Sequence, residues 1–379
     1  MTAANDRDHM AHALRLAARG LGNVWPNPAV GCVIVAPDGR ILGRGWTQAG
    51  GRPHAETVAL AQAGAEARGA TAYVTLEPCA HHGRTPPCAE ALAAAGIARV
   101  VSACTDPDPR VSGRGHATLR NAGIVVTEGV LGPEAARLNE GFLRRILTGS
   151  PHVTLKLALS LDGRIANAAG VSKWVTGPAA RTRVHALRAT HDAVMVGIGT
   201  AIADDPDLTV RDIGIARQPV RIVLDSSARL PAEGRLARSA RQVPVWLMHA
   251  DTAAIPPALA AAGVEALACP ADRGGRIIMA EALARLAARG LTRIFCEGGG
   301  AVAAALLAGQ HTGEIIAFSA GRTFGAGGTP ALGPLPAAPA LGPPDYALDR
   351  TEVLGPDLMH VWRPCPPDAR RPDPRFILA

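Results

Sequence analysis

The chain has 379 residues and a formal net charge of +7 at pH 7. Its length is more than one hydrophobic core usually holds, so we expect two domains. No apolar run reaches the ~18–20 residues that span a bilayer, and the opening MTAANDRDHM lacks the basic-then-apolar layout of a signal peptide. Seven cysteines are an odd number for a disulfide framework, which favours reduced thiols and a cytoplasmic protein.

The positive charge raises the question of nucleic-acid binding. Proteins that bind single strands stack the bases on aromatic side chains, and Phe, Trp and Tyr make up only 3% of this chain. The arginines are spread along the sequence rather than clustered. The composition therefore favours a phosphorylated small molecule as the ligand, and we expect neither nucleic acid nor a membrane as a partner.

The first half of the chain alternates helix and strand patterns. The periodicity predicts helices at 8–19, 54–60, 88–95 and 133–146, and strands at 30–35, 41–46, 71–76, 100–103 and 123–126. Thr148-Gly149-Ser150-Pro151 is typical of a short linker. The sequence thus predicts a compact α/β domain over residues 1–147.

Three residues of this half have the character of metal ligands: His54 and Cys88, each at the start of a predicted helix, and Cys79, just after a predicted strand. Three protein ligands leave one open position on a tetrahedral Zn²⁺, as in catalytic sites, and a water there is deprotonated near neutral pH. H-x-E together with P-C-x-x-C marks zinc deaminases, in which the glutamate shuttles protons. Glu56 is therefore the predicted catalytic residue.

The match to that signature is incomplete, because residues 80–87 separate the two cysteines. Ordinary core residues or a structural zinc site are the alternative, but neither gives a role to Glu56 or Pro78. The longer spacing adds polar groups at the mouth of the zinc site. We expect Asn27, His81, His82 and Arg84 to contact the substrate, with Arg84 on its phosphate.

The second half, about residues 152–362, also alternates strands and helices. Strands are predicted at 153–159, 193–196, 220–224 and 294–296, and helices at 179–187, 280–288 and 301–307. Glycines at 298–300 separate a strand from a helix, which lets backbone amides approach a phosphate, although no G-x-G-x-x-G fingerprint is present. Residues 327–344 are predicted to be loop, and residues 363–379 form a Pro/Arg-rich tail.

Only two of the 39 basic residues are lysine, Lys156 and Lys173. Lys156 lies in an apolar strand pattern, where an unpaired ammonium would be costly to bury. It therefore requires a partner or a ligand. We predict a catalytic role for Lys156, although chance retention of a lysine is the alternative.

At these motifs the chain resembles a known family. VTLEPCAHHGRTPPC at residues 74–88 and PNPAVGC at 26–32 are similar to the deaminase half of the bifunctional deaminase-reductases of riboflavin biosynthesis. KLALSLDGRI at 156–165 and HDAVMVGIGTAIADDPDLTVR at 191–211 resemble the reductase half. The resemblance covers about residues 8–362, with Ala80 as a departure where the family often has Ser. It implies a cytidine-deaminase-like zinc domain, then a dihydrofolate-reductase-like α/β reductase domain that uses NADPH, in a homo-oligomer (dimer or tetramer).

The resemblance also implies binding residues in the second domain. The family's substrate positions correspond to Ser172, Arg188, Leu208, Arg211 and Glu297. Its cofactor positions correspond to Leu159, Trp174, Thr200, Asp204, Ser226, Gly299, Gly300, Ala301, Val302, Ala303, Ala304 and Ala305. Guanidinium groups bind phosphate through paired N–H groups, so Arg188 and Arg211 are expected on the ribose phosphate.

The activity implied is deamination of 2,5-diamino-6-(5-phosphoribosylamino)pyrimidin-4(3H)-one, followed by NADPH-dependent reduction of the ribosyl group of 5-amino-6-(5-phosphoribosylamino)uracil to ribityl. One alternative is a nucleoside or tRNA deaminase that needs zinc but no NADPH. A second is a zinc deaminase, of this or another nucleotide, with a degenerate second domain that leaves the sugar unreduced. A zinc scaffold without enzymatic activity is the third, and it would be indifferent to Glu56→Gln.

Overall fold

The computed structural model describes residues 3–80, 86–108, 112–170, 175–335 and 345–365. The chain divides into two compact units, residues 1–151 with 290–292 and residues 152–289 with 293–379. Among the described helices, none combines the length and apolar character needed to cross a membrane.

The first unit has one five-stranded sheet with helices on both faces. Its helices are α1 (Ala3–Ala17), α2 (Ala55–Ala63), α3 (Cys88–Ala94), α4 (Arg114–Asn121), α5 (Gly132–Leu138) and α6 (Glu140–Thr148). Its strands are β1 (Gly31–Val35), β2 (Ile41–Trp46), β3 (Thr71–Val74), β4 (Arg99–Ser102) and β5 (Val125–Thr127). The order across the sheet is β2-β1-β3-β4-β5. β1 runs antiparallel to both of its neighbours, whereas β3, β4 and β5 are parallel.

The core of this unit lies on both faces of the sheet, because every residue of β1 is buried. Cys32 and Ile34 belong to the cluster that includes residues of α2 and α3. Val33 and Val35 face the other way and belong to the cluster that includes Met10 of α1. This alternation follows from the two-residue period of a strand, and it explains why the apolar run of β1 is continuous.

Helix α2, which follows the predicted ligand His54, lies unusually close to β2. A Cβ atom on Gly45 would be 2.0 Å from the carbonyl oxygen of Ala55, and one on Gly43 would be 2.1 Å from that of Ala59. No side chain fits at such distances, so glycine is required at both positions. The start of α2 is therefore fixed against the sheet.

The predicted helix at 133–146 is in fact two helices, α5 and α6, separated by Asn139. The Asn139 side chain accepts a hydrogen bond from the Ala29 amide and donates one to the Ala29 carbonyl, both at 2.9 Å. This pair of bonds ties the loop before β1 to the junction of the two helices. The helix is interrupted by a long-range contact that periodicity does not reveal.

The second unit has eleven strands in its described residues, nine of them in one sheet and two in a separate pair. Its strands are β6 (His152–Ser160), β7 (Arg164–Ala166), β8 (Ala193–Gly197), β9 (Val220–Leu224), β10 (Val245–Ala250), β11 (Glu265–Cys269), β12 (Arg293–Cys296), β13 (Glu314–Ala320), β14 (Thr329–Pro330), β15 (Tyr346–Leu354) and β16 (Asp357–Pro364). Its helices are α7 (Pro178–Ala189), α8 (Ile198–Asp204), α9 (Arg235–Arg238), α10 (Pro257–Ala262), α11 (Met279–Ala288) and α12 (Gly300–Ala308).

The strand order of the large sheet is β11-β10-β9-β8-β12-β6-β13-β16-β15. The first seven strands in this order, from β11 to β13, are parallel to one another. β16 and β15 complete the sheet with antiparallel pairing. The carboxyl ends of β6, β8 and β12 are therefore adjacent at one edge. Ligands of open α/β sheets bind at such an edge.

The predicted strands and helices of this unit are all present, with ends that differ by up to two residues. Two differences concern its last third. The predicted loop at 327–344 contains β14, which pairs with β7, and residues 336–344 lie outside the described part of the chain. β16 continues to Pro364, two residues beyond the predicted end of the domain at 362.

Candidate active sites

The structure brings the three predicted metal ligands together in the first unit. His54 is the N-cap residue of α2, and Cys88 is the first residue of α3. Their ligand atoms and that of Cys79 all lie within 4.8 Å of one another. His54 Nδ1 is 3.3 Å from Cys88 Sγ and 3.7 Å from Cys79 Sγ. Ligand atoms around a tetrahedral Zn²⁺ are about 3.5–3.8 Å apart, from the Zn–N and Zn–S bond lengths. One imidazole and two thiols at this spacing fit zinc.

The backbone favours the ligating form of one thiol. The Cys88 amide, at the start of α3, donates to Cys79 Sγ at 3.3 Å. An N–H donor stabilises the thiolate, which is the form that binds a metal. The local fold thus prepares Cys79 for a cation, and the ligand atoms are already arranged around one position.

Glu56 lies on the first turn of α2, directly after the ligand His54, and is only 4% exposed. Burial raises the pKa of its carboxyl to about 7, and the negative charge of Cys79 acts in the same direction. A carboxyl group with a pKa near the working pH can both accept and donate protons. Glu56, His54 and Cys79 line one cavity of about 270 Å³.

The second unit has a cavity of about 340 Å³ at the carboxyl edge of its sheet. Its wall includes four of the residues predicted for catalysis or substrate binding: Lys156 of β6, Arg188 of α7, Arg211, and Glu297 directly after β12. These side chains are far apart in sequence, and the order of the strands in the sheet brings them close together. Together they give the cavity wall three cations and one buried carboxylate.

Glu297 is the centre of a charge network in this cavity. Its two carboxylate oxygens accept hydrogen bonds from Arg188, from Nε at 2.5 Å and from Nη2 at 3.1 Å. The Lys156 ammonium is 3.9 Å from Glu297 Oε2. Arg188 also donates to the Thr209 carbonyl at 2.8 Å. Three of its five N–H groups thus have protein partners, and Arg188 is held in place by Glu297.

Burial and charge act in opposite directions on Lys156 and Glu297. Burial lowers the pKa of Lys156, which Glu297 partly opposes. Burial alone would raise the pKa of Glu297, but Arg188 and Lys156 outweigh it and hold that pKa below its usual value. Glu297 is therefore an anion at neutral pH, and Lys156 loses its proton more readily than an exposed lysine.

An adjoining cavity of about 350 Å³ contains several of the predicted cofactor residues: Thr200, Asp204, Gly299, Gly300, Ala301 and Val302. Thr200, Asp204, Gly299 and Gly300 also line the first cavity. The Gly299 amide donates to Thr200 Oγ1 at 3.1 Å. The glycine turn opens α12 and belongs to the walls of both cavities, and a glycine turn at a helix N-terminus suits the phosphates of a nucleotide.

Comparison with known proteins decides the family. Residues 3–104 match the family model of the cytidine and deoxycytidylate deaminase zinc-binding region, and residues 151–359 match that of the RibD C-terminal domain. Riboflavin biosynthesis protein RibD of Escherichia coli (strain K12) is 42% identical over 375 residues, which cover 93% of this chain and 98% of that protein.

The chain belongs to the RibD family.

Solved RibD structures are also similar to this chain, in agreement with the family assignment. Acinetobacter baumannii RibD is 40% identical with a TM-score of 0.85, over 96% of this chain and 100% of that one. A diaminohydroxyphosphoribosylaminopyrimidine deaminase/5-amino-6-(5-phosphoribosylamino)uracil reductase from Thermotoga maritima is 36% identical with a TM-score of 0.85, over 96% and 99% of the two chains. The predicted fold class is confirmed, a deaminase-like zinc domain followed by an α/β reductase domain. The chain is a bifunctional deaminase and reductase of riboflavin biosynthesis.

Not every predicted binding residue of this RibD-family chain lines a described cavity. The Leu208 side chain is in the hydrophobic core, and its backbone has a left-handed φ of 54°. Ser226 accepts a hydrogen bond from the Ile277 amide. Other predicted contacts that the cavity walls do not include are Leu159, Ala303, Ala304 and Ala305. His81, His82, Arg84, Ser172 and Trp174 lie outside the described residues.

The zinc cavity includes the predicted Asn27, and also residues that the sequence did not single out. These are Thr47, Arg52, Glu77, Asp106, Asp108, Phe142, Arg145 and Ile146. Two of them had a signal in the sequence, since Asp106 and Asp108 follow β4 just as Cys79 follows the neighbouring parallel strand β3. Arg145 had none, because its place depends on the break between α5 and α6.

The reductase cavity likewise includes side chains that were not predicted, among them Arg181 and His185 of α7. Both share a helix with Arg188. His185 Nδ1 accepts a hydrogen bond from the Arg211 amide at 3.2 Å. The helical period that joins these three residues to one face could have revealed them once Arg188 was identified.

Proposed function

We propose that this chain deaminates 2,5-diamino-6-(5-phosphoribosylamino)pyrimidin-4(3H)-one and then reduces the ribosyl group of 5-amino-6-(5-phosphoribosylamino)uracil to ribityl with NADPH. The observation that carries the proposal is the cluster of His54, Cys79 and Cys88 beside the buried Glu56, on the same chain as a cation-lined cavity next to a glycine turn. The Thermotoga maritima relative bears the name of these two activities.

In the first step, His54, Cys79 and Cys88 hold Zn²⁺, which when bound supplies a Lewis acid that activates water for attack on a ring carbon. Glu56 takes a proton from the attacking water and delivers one to the departing amino group. A C–O bond forms, a C–N bond breaks, and ammonia leaves. Asn27, with its side-chain amide in the cavity wall, orients the pyrimidine.

For the second step, the glycine turn and Thr200 would hold NADPH in the adjoining cavity. The cofactor, when bound there, would supply the hydride for reduction of C1′ of the ribosyl group. Lys156 donates a proton to the sugar oxygen that is released as the ring opens. Glu297 holds Arg188 and Lys156 in the cavity wall, and Arg211 contacts the substrate phosphate.

Three further statements belong to the proposal. The deaminase domain spans residues 1–147 and the reductase domain 152–362, with a tail at 363–379. The enzyme is cytoplasmic, which the seven free cysteines support. It acts as a homo-oligomer, a dimer or a tetramer, on a small-molecule substrate rather than on nucleic acid.

A coupled assay on zinc-loaded protein tests the proposal. Ammonia release and NADPH oxidation are followed separately with the phosphoribosylamino-pyrimidinone as substrate. We expect ammonia first and NADPH oxidation only after it, and a Glu56→Gln variant that releases ammonia about 10²–10⁴-fold more slowly yet still oxidises NADPH when given the deaminated compound. Ammonia release without NADPH oxidation would indicate a deaminase with a degenerate second domain. The absence of both ammonia release and NADPH oxidation would refute the proposal.

A further inference from the structure

Glu77 is a buried carboxylate of the zinc cavity to which the proposed reaction assigns no role. It lies two residues before the ligand Cys79, and its side chain has no exposed surface. Glu77 is also part of the cavity wall. Burial of a charged group is costly unless hydrogen bonds replace the lost water, so the contacts of this carboxylate indicate what it does.

The carboxylate is satisfied by four backbone amides from residues 106–108 and 112–116, which together we call the β4–α4 segment. Oε2 accepts from Asp106 at 3.2 Å and from Gly113 at 3.0 Å. Oε1 accepts from Gly115 at 2.8 Å and from His116 at 3.3 Å. One side chain therefore fixes both ends of this segment.

Part of this arrangement is helix capping. Helix α4 starts at Arg114, and its N-cap residue is Gly113, which has no side chain to cap the first turn. Glu77, from a distant part of the chain, accepts hydrogen bonds from the backbone amides at the start of α4 that have no partner within the helix. Its negative charge also interacts favourably with the helix N-terminus. A capping role alone would make Glu77 important for stability but not for binding.

The bond to the Asp106 amide goes beyond capping, because Asp106 precedes α4 by several residues and lines the zinc cavity together with Asp108. Asp106 Oδ1 in turn accepts from the Asp108 amide at 2.9 Å. The start of α4 also lies tightly against the backbone that precedes Cys79, since a Cβ on Gly115 would be 2.0 Å from the carbonyl oxygen of Pro78. The wall formed by Asp106 and Asp108 is thus tied to the backbone next to Cys79.

We propose that Glu77 is a positioning residue of the deaminase site, whose carboxylate fixes the described residues of the β4–α4 segment so that Asp106 and Asp108 form the polar wall of the substrate cavity. The proposal rests on the deaminase activity proposed above. Glu77 acts through the segment and not on the reacting atoms. Its loss should therefore weaken substrate binding more than turnover, and leave the metal in place.

The test is Glu77→Gln, which preserves size but replaces one acceptor oxygen with an NH₂ group that opposes two amides. We expect the KM of deamination to rise at least about tenfold, with kcat within about threefold and zinc content unchanged. Reductase constants on the same sample should not change, since Glu77 belongs to the first unit. Asp38→Asn is the matched control, because Asp38 accepts the Arg40 amide in an exposed turn away from the cavity.

An unchanged KM with lower thermal stability would overturn the proposal and leave Glu77 as a helix cap. Loss of zinc would also overturn it, by placing Glu77 in the support of the metal ligands. If Glu77→Gln does not fold, Gly113→Ala tests the same segment with a smaller perturbation. The Cβ of the new alanine would meet open space, but alanine is strained at the φ of 74° that Gly113 adopts. We expect a smaller rise in the KM of deamination, and an unchanged KM would refute the proposal. A wild-type enzyme that releases no ammonia would instead refute the deaminase activity itself.

Discussion

The two sites of this chain are built in different ways. The zinc site takes its ligands and its acid–base residue from a short stretch, His54 to Cys88, and the start of each helix places a ligand directly. The reductase site collects Lys156, Arg188 and Glu297 from three separate elements, and its charges are balanced against one another. The zinc site requires a bound metal cation, whereas the reductase site contains cationic side chains, Lys156 and Arg188, that pair with the carboxylate of Glu297.

This difference has a consequence for mutation. In the zinc site each ligand is indispensable, because a catalytic zinc is held by only three protein ligands and its fourth position stays open. In the reductase site a change at one residue alters the charge on its neighbours. The predictions below use each site as the internal control for the other.

The largest effect is expected from Cys79→Ala. With two ligands left, zinc should be lost and ammonia release should fall below detection, while NADPH oxidation on the deaminated substrate is unchanged. Metal analysis and the two separate assays measure this. Cys32→Ala is the control, since Cys32 is a buried core thiol outside the ligand cluster. Retained zinc with ammonia release would contradict the assigned ligands.

Lys156→Met should slow the reductase by about 10²-fold, the usual contribution of a proton donor. The binding of NADPH and the deaminase rate should be unaffected, because Lys156 lines the substrate cavity of the second unit. Steady-state rates and a cofactor titration test this. Arg183→Met serves as the control, as Arg183 pairs with Glu352 outside the cavity. Full turnover by the Lys156→Met variant would remove this lysine from the mechanism.

Glu297→Gln should change the pH dependence of the reductase. Glu297 raises the pKa of Lys156 against the effect of burial, so removing its charge lowers that pKa further. If the ammonium is the active form, activity is present below the pKa and is lost as pH rises through it. The alkaline limb of the rate profile should therefore move to lower pH, and a limb that stays in place would show that Lys156 does not titrate in catalysis.

The smallest effect is expected from Thr200→Val, which keeps the shape of the side chain but removes the acceptor of the Gly299 amide. This hydrogen bond fixes the turn that would hold the cofactor, and one neutral hydrogen bond contributes about 1 kcal/mol. NADPH binding, measured by titration, should therefore weaken by up to about fivefold. Thr182→Val is the control, because the exposed Thr182 hydroxyl donates to the Pro178 carbonyl within α7 and lies outside both cavity walls. Equal affinities would argue against a cofactor at the glycine turn.

The sequence predicted what local patterns encode. Strands such as β2 and helices such as α3 were predicted to within a residue, and the grouping of His54, Cys79 and Cys88 followed from the spacing of one motif. The pairing of Arg188 with Glu297 was not predicted, since it joins residues 109 apart and depends on the order of the parallel strands. Arg188 had been expected to bind phosphate, without Glu297, which accepts hydrogen bonds from two of its five N–H groups.

Long-range hydrogen bonds account for the other omissions in the same way. The break at Asn139 and the contacts of Glu77 each connect segments that no periodicity relates. Leu208 illustrates the opposite case, where a binding position taken from the family resemblance has its side chain in the core. A residue's type and neighbours in sequence indicate its chemistry, but only the folded backbone decides which way it faces.

The two hydrogen bonds between Asn139 and Ala29 set a lower limit on how small a working deaminase can be made. The matched zinc-binding region ends at residue 104, yet Asn139 anchors the loop that carries Asn27, and Phe142, Arg145 and Ile146 of α6 complete the cavity. A fragment cut at residue 104 would keep every zinc ligand and lose one side of the substrate chamber. A deaminase separated from the reductase would therefore have to keep the chain through Thr148. The place to divide this chain lies well beyond the metal-binding motif.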